Sequence, residues 1–187
     1  MEDFLRKNNL QSDDLQKMGY KRVLEWKLLD DLMEDRRKKS VNHGAPTLSY
    51  TITRKNMVGF PIEFEIIFRC KSIIGVKNIE KPRKPIWFFL HKMTIRLPFS
   101  YPSADAPPIF TFTTDVWHPN IRHSGSFKGH VCLVRKEMGA LMSLKDMVLR
   151  VERLLKYYYY NVVNPDDREV AKWVEEEAIP NGWIHVY

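Results

Sequence analysis

Between Leu48 and Thr114 the apolar residues alternate, while on either side of that span they recur every three or four positions. This change of period, from 3.6 to 2 and back to 3.6, restricts the fold more than any other feature of the chain. In "PIEFEIIF" (Pro61–Phe68) Ile62, Phe64, Ile66 and Phe68 oppose Glu63 and Glu65, giving a strand with one dry and one wet face. "LSYTIT" alternates in the same way through Leu48, Tyr50 and Ile52, and "RKNMVGF" reads as the hairpin connection between the two. "WFFLHKMTIRL" (residues 87–97) and "IFTFTT" (residues 109–114) read as a third and a fourth strand, and residues 70–86 as a long loop rich in Lys and Pro. The four prolines of "PFSYPSADAPP" cannot donate to a ladder, so that stretch is expected to be an ordered, extended loop. Strands that follow one another directly imply an antiparallel meander, not a parallel βαβ sheet.

Two amphipathic helices flank the strands. Residues 20–37 carry Leu24, Leu28, Leu29, Leu32 and Met33 without Pro or Gly, and end on Arg36 and Arg37, which suit the negative end of the helix dipole. In the second helix Leu144, Met147, Val148, Val151, Leu154, Leu155 and Tyr158 share one face, with Ser143 as N-cap and Asp146 completing the capping box. The simplest way to bury that face is against the sheet. A short helix is expected over about residues 168–177. The polar residues 1–19 read as an arm or short helix outside the core, leaving residues 20–187 as one α+β domain.

Lys and Arg number 30 and Asp and Glu 23, so the chain carries +7 and favours an acidic partner. The runs Arg36–Lys39 and Lys81–Lys84 lack the interleaved aromatics of single-strand binders, so nucleic acid is not expected. No apolar run is long enough to span a membrane, and "MEDFLRKNNLQSDD" has no signal-peptide core. The expected location is cytoplasmic, where the two cysteines, Cys70 and Cys132, would be free thiols.

Cys132 ends a stretch, "TDVWHPNIRHSGSFKGHVCL", that also holds His118, His123 and His130. Three readings stand at this point. The His and Cys side chains could ligate a metal, although their spacing matches no close-pair zinc pattern. Cys132 could be an apolar filler, the reading that Cys70 receives. Or it could be a nucleophile, with His130, Lys128, Arg135 and Lys136 nearby in sequence to favour a thiolate. No Cys-His protease signature accompanies it, which suits thioester exchange, a reaction that needs little help from a base.

The order of elements resembles the ubiquitin-conjugating enzyme family. The resemblance rests on Tyr101-Pro102, Pro107-Pro108, the strand Ile109 to Thr114, His118-Pro119-Asn120, Cys132-Leu133 and Asn164-Pro165-Asp166-Asp167, and covers roughly residues 20–175. It implies a UBC-like fold: an N-terminal helix, a four-stranded antiparallel meander, an active-site loop, a central helix packed on the sheet and a short C-terminal helix. It further implies that Cys132 accepts a ubiquitin-like protein from an activating enzyme as a thioester and yields it to a substrate lysine or a ligase. Asn120 would brace the loop or stabilise the oxyanion, and His118 with Pro119 would brace it. Asp167 would either position the incoming lysine or cap the following helix. Lys21, Arg22 and Lys27 lie where the family binds its activating enzyme. No metal or cofactor is implied. The alternative is a non-catalytic module of the same fold that binds a ubiquitin-like protein.

The chain departs from the family in the long Asn-to-Cys interval "RHSGSFKGH", in Val134 where an acid is common, and in "EMGALMS" in place of a Trp-Ser-Pro loop. Ser103 and Ala104 stand where a ligase-contacting aromatic is usual. These departures point to a divergent member, of the kind a prokaryotic ubiquitin-like system would use, with a ligase of non-standard docking or none.

Overall fold

The computed structural model describes residues 1–40, 44–77, 80–103, 106–133 and 142–184. The first long helix is α3 (Tyr20–Lys39), preceded by α1 (Glu2–Lys7) and α2 (Ser12–Met18). Its inward stripe is Val23, Trp26, Leu29, Leu32 and Met33. The stripe is rotated from the expected one: Leu24 and Leu28 are half-buried, and Val23 and Trp26 take the inner places.

Four strands form one antiparallel sheet in the order β1-β2-β5-β6: β1 (Leu48–Lys55), β2 (Pro61–Phe68), β5 (His91–Arg96) and β6 (Ile109–Phe112). Phe64, Ile66, Phe68, Met93, Ile95, Phe110 and Phe112 point into the core. The row Thr51–Glu65–Thr94–Thr111 runs across the opposite face. Helix α4 (Leu144–Leu155) buries Leu144, Met147, Val148, Val151, Leu154 and Leu155. Its Ser143 cap accepts the Asp146 N–H at 3.1 Å. Helical spacing stops at Tyr157, whose φ is 55°. Tyr157 therefore takes the buried place expected for Tyr158, which is 50% exposed.

Two further expectations are corrected. Residues 70–86 are not all loop: β3 (Ser72–Val76) and β4 (Pro85–Phe88) pair as a separate two-stranded sheet. "SIIGV" is too short to show a period, and Pro85 is tolerated as the first residue of its strand. This hairpin interrupts the meander and divides the expected strand over residues 87–97 into β4 and β5. Nor do residues 1–19 lie outside the core. Phe4, Leu5 and Met18 are buried in it, and the Phe4 ring stands edge-on to Trp26 at 5.0 Å. Lys7 Nζ pairs with the largely buried Asp30 at 2.8 Å. The chain closes with α5 (Arg168–Trp173) and a π-helical turn, Val174–Ala178, that bury Val170, Trp173 and Val174.

Candidate active site

The site is built on the free edge of β6. From a turn that ends at Gly129, residues 130–132 run extended between β6 and residues 120–122. On one side Phe112 N–H donates to Gly129 O at 2.8 Å and Val131 N–H to Phe110 O at 3.0 Å, flanking the pair Thr111–His130. On the other side Arg122 N–H donates to His130 O at 3.1 Å and Cys132 N–H to Asn120 O at 2.9 Å, flanking the pair Ile121–Val131. Ile121, Val131 and Leu133 are buried in the core. Strand alternation then puts His130 and Cys132 together on the other face, with Arg122 and Asn120 directly across from them. The Cys132 side chain is exposed there.

His118 is fully buried. Its Nδ1 accepts the Asn120 N–H at 3.1 Å, so the ring proton sits on Nε2, which donates to Tyr159 O at 3.1 Å. Burial pushes its pKa down to about 3, opposed by the bond to Tyr159. It is a neutral brace, and its two nitrogens are committed to the backbone. Asn120 is buried, and its Oδ1 accepts the Asn161 N–H at 3.0 Å. Pro119 O accepts from both Asp166 N–H and Asp167 N–H at 2.9 Å. The His-Pro-Asn turn and the Asn-Pro-Asp-Asp segment are thereby joined as one unit.

Asp167 is 6% exposed. Its Oδ1 accepts the Val170 N–H at 3.2 Å, capping α5. Its Oδ2 accepts the His123 N–H at 3.0 Å and also faces His123 Nδ1. His123 Nε2 lies 3.5 Å from Glu169, and its ring packs 4.7 Å from that of Trp117. Beside it, Arg122 Nε is 3.4 Å from Asp166 Oδ1. The insertion thus has a defined shape. Gly129 N–H closes it on Arg122 O at 2.7 Å, Lys128 pairs with Asp115 at 2.7 Å, and Phe127 stands at the tip, 71% exposed. Gly129 has φ 81°, and a Cβ there would run into the carbonyl oxygen of Phe112.

The other expected residues fall elsewhere. Lys21 is exposed. Arg22 Nε donates to Tyr101 O at 2.6 Å, with its guanidinium 5.4 Å from the Phe99 ring, and Lys27 pairs with Asp31 at 2.6 Å. Cys70 is half-buried, and burial pushes its thiol up to about 11, with a smaller opposing pull from Lys156. Among the described residues no cluster of three or more His, Cys, Asp or Glu could hold a metal ion. Ala104, Val134, Arg135, Lys136 and residues 137–141 lie outside the described residues. The parts of the site not singled out from sequence are Arg122 and Gly129, and the use of Asp166 and His123 as ties.

The family model for ubiquitin-conjugating enzyme matches residues 78–179. The chain is 30% identical over 104 residues to human and to bovine ubiquitin-conjugating enzyme E2 K, covering 52% of this chain and 48% of each relative. It therefore spans about half the length of the curated relatives it matches. Among solved structures, the E2 domain of a Toxoplasma gondii ubiquitin conjugating enzyme superposes with a TM-score of 0.51 at 22% identity. That match covers 82% of this chain and 88% of the other. The fold is the α+β fold of ubiquitin-conjugating enzymes. The chain belongs to the ubiquitin-conjugating enzyme family.

Proposed function

We propose that the chain is a conjugating enzyme that carries a ubiquitin-like protein as a thioester on Cys132. It receives the protein from an activating enzyme and passes it to a substrate lysine or to a ligase. The observation that supports this most is the placement of Cys132. Its side chain is exposed, and its backbone is held at 2.9 Å to the asparagine of the His-Pro-Asn turn. That bond exists in spite of the long insertion, which folds back on itself through Gly129 and Arg122 and leaves Asn120 and Cys132 paired.

In this reading His118 and Pro119 brace the turn. Asn120 commits its carbonyl oxygen to Asn161 and offers its NH₂ end to the tetrahedral oxyanion, a contribution worth about 2.7–4 kcal/mol where such donors have been removed. Of the two roles open to Asp167, its contacts favour the cap and the loop tie. Lys21, on the exposed start of α3, meets the activating enzyme, while Arg22 shapes that surface from its bond to Tyr101. A ligase, if one is used, docks without a bulky aromatic at Ser103.

The test is charging by a cognate activating enzyme with ATP, read on a non-reducing gel. A thiol-sensitive adduct is expected, lost in Cys132→Ala and converted to a thiol-resistant oxyester in Cys132→Ser. An adduct that survives Cys132→Ala would sink the assignment.

A further inference from the structure

The outward face of residues 129–132 carries more than a thiol. His130 and Cys132 are two residues apart in an extended segment, so their Cα atoms are about 6.6 Å apart and their side chains rise on the same side. Arg122 stands directly opposite His130, and Asn120 opposite Cys132.

Attack by an amine on a thioester leaves a proton to dispose of, whereas attack by a thiolate does not. The carboxylates around the site are paired or buried. Asp167 is buried and accepts from the backbone of Val170 and from His123. Asp166 faces Arg122 with one oxygen, and its other oxygen is buried without a hydrogen-bond partner and so closed to an incoming amine. His118 is buried with its two nitrogens bonded to backbone groups. Among the described residues this leaves one imidazole, that of His130, on the face of the thiol.

We propose that His130 is the proton acceptor for amine attack on the thioester at Cys132; this rests on the reading of Cys132 as the carrier. The amine nitrogen bonds to the carbonyl carbon, and its surplus proton passes to the unprotonated ring nitrogen of His130. The carbon–sulfur bond then breaks, and Cys132 leaves as a thiolate that takes the proton back. Nothing else is consumed.

The experiment needs no partner protein. An acetyl group is placed on Cys132 by exchange with S-phenyl thioacetate and located by peptide mass mapping. It is then discharged either to free lysine or to 2-mercaptoethanol. His130→Ala and His130→Gln are expected to slow discharge to lysine by about 100-fold or more. They are expected to change discharge to 2-mercaptoethanol by less than about 2-fold. Free imidazole should restore lysine discharge in His130→Ala and leave the wild type unchanged. Equal slowing toward both acceptors, or no rescue by imidazole in a variant that melts like the wild type, overturns the proposal. If His130→Ala does not fold, the Gln variant decides by the same acceptor comparison. The two readings fail separately: no adduct on the non-reducing gel removes the carrier reading and with it the proposal built on it, whereas equal slowing of acetyl discharge toward both acceptors removes the role of His130 and leaves the carrier reading untouched.

Discussion

The sequence leaves Asp167 two roles, positioning the lysine or capping the helix, and its carboxylate makes the cap together with a tie the sequence did not suggest. One oxygen caps α5 through Val170 N–H and the other ties down His123. In the proposed reading, a group so placed acts by holding the loop that carries Arg122 and, through it, the segment that ends at Cys132. Asp167→Ala is therefore expected to lower stability by about 1–2 kcal/mol, the usual effect of losing a side-chain cap. It is also expected to slow thioester formation and discharge to lysine by similar factors. Melting and single-turnover assays check both, and selective slowing of discharge would restore the lysine-positioning role. What was legible here follows from residue type. His118 and Asn120 share one short turn, whereas Cys132 lies beyond the insertion and is brought against Asn120 by the fold. The bond between His123 and Asp167 spans 44 residues and depends on how two loops meet, which no local pattern carries. His130 was visible from sequence as a neighbour of Cys132 and a candidate metal ligand, while its face is fixed by its pairing with Thr111.

At the scale of elements, the strands with one dry and one wet face and the capped helix α4 were readable because period and capping are local. β3 and β4 were not. Each is five residues or fewer, and their pairing is set by contacts with Trp117 and Trp173 in a second small core. The site depends on another short extended piece, residues 130–132, which joins the sheet because Gly129 before it lets the backbone reach Phe112. Gly129→Ala adds a Cβ at a φ of 81° and against a main-chain oxygen that cannot swing away. The segment must then leave β6, giving up the bond from Phe112 N–H and shifting Cys132 relative to Asn120. The expected cost is at least about 2 kcal/mol, from the left-handed backbone penalty together with the lost bond. Charging of Cys132 should fall in step. A variant that keeps wild-type stability and charging would show that the edge pairing does not position the thiol.

For the molecule as a whole, the helices α1 and α2 complete the core through Phe4, Leu5 and Met18, a contribution hidden by the polar composition around those three residues. Two buried histidines are held uncharged by the fold. His118 is fully buried and neutral with a pKa near 3, and His91, also fully buried, is held below the ordinary histidine value by desolvation. An unfolded histidine takes up its proton near pH 6.5, so below that pH the unfolded chain binds protons that the folded chain refuses. Stability is therefore complete above about pH 6.5 and declines as the pH falls toward 3, with His118 alone contributing a slope of roughly 1.4 kcal/mol per pH unit. Carboxylates titrate mostly below about pH 4.5, so the interval from pH 6.5 to 5 isolates the histidines. Over that interval urea unfolding should show a stability loss of about 2 kcal/mol or more, His91 adding to the share of His118. His118→Gln should be less stable at pH 7 and show a shallower decline. A wild-type unfolding midpoint that stays level from pH 7 to pH 5 would mean that His118 can take up a proton within the folded chain. The neutral brace under the His-Pro-Asn turn would then have to be given up.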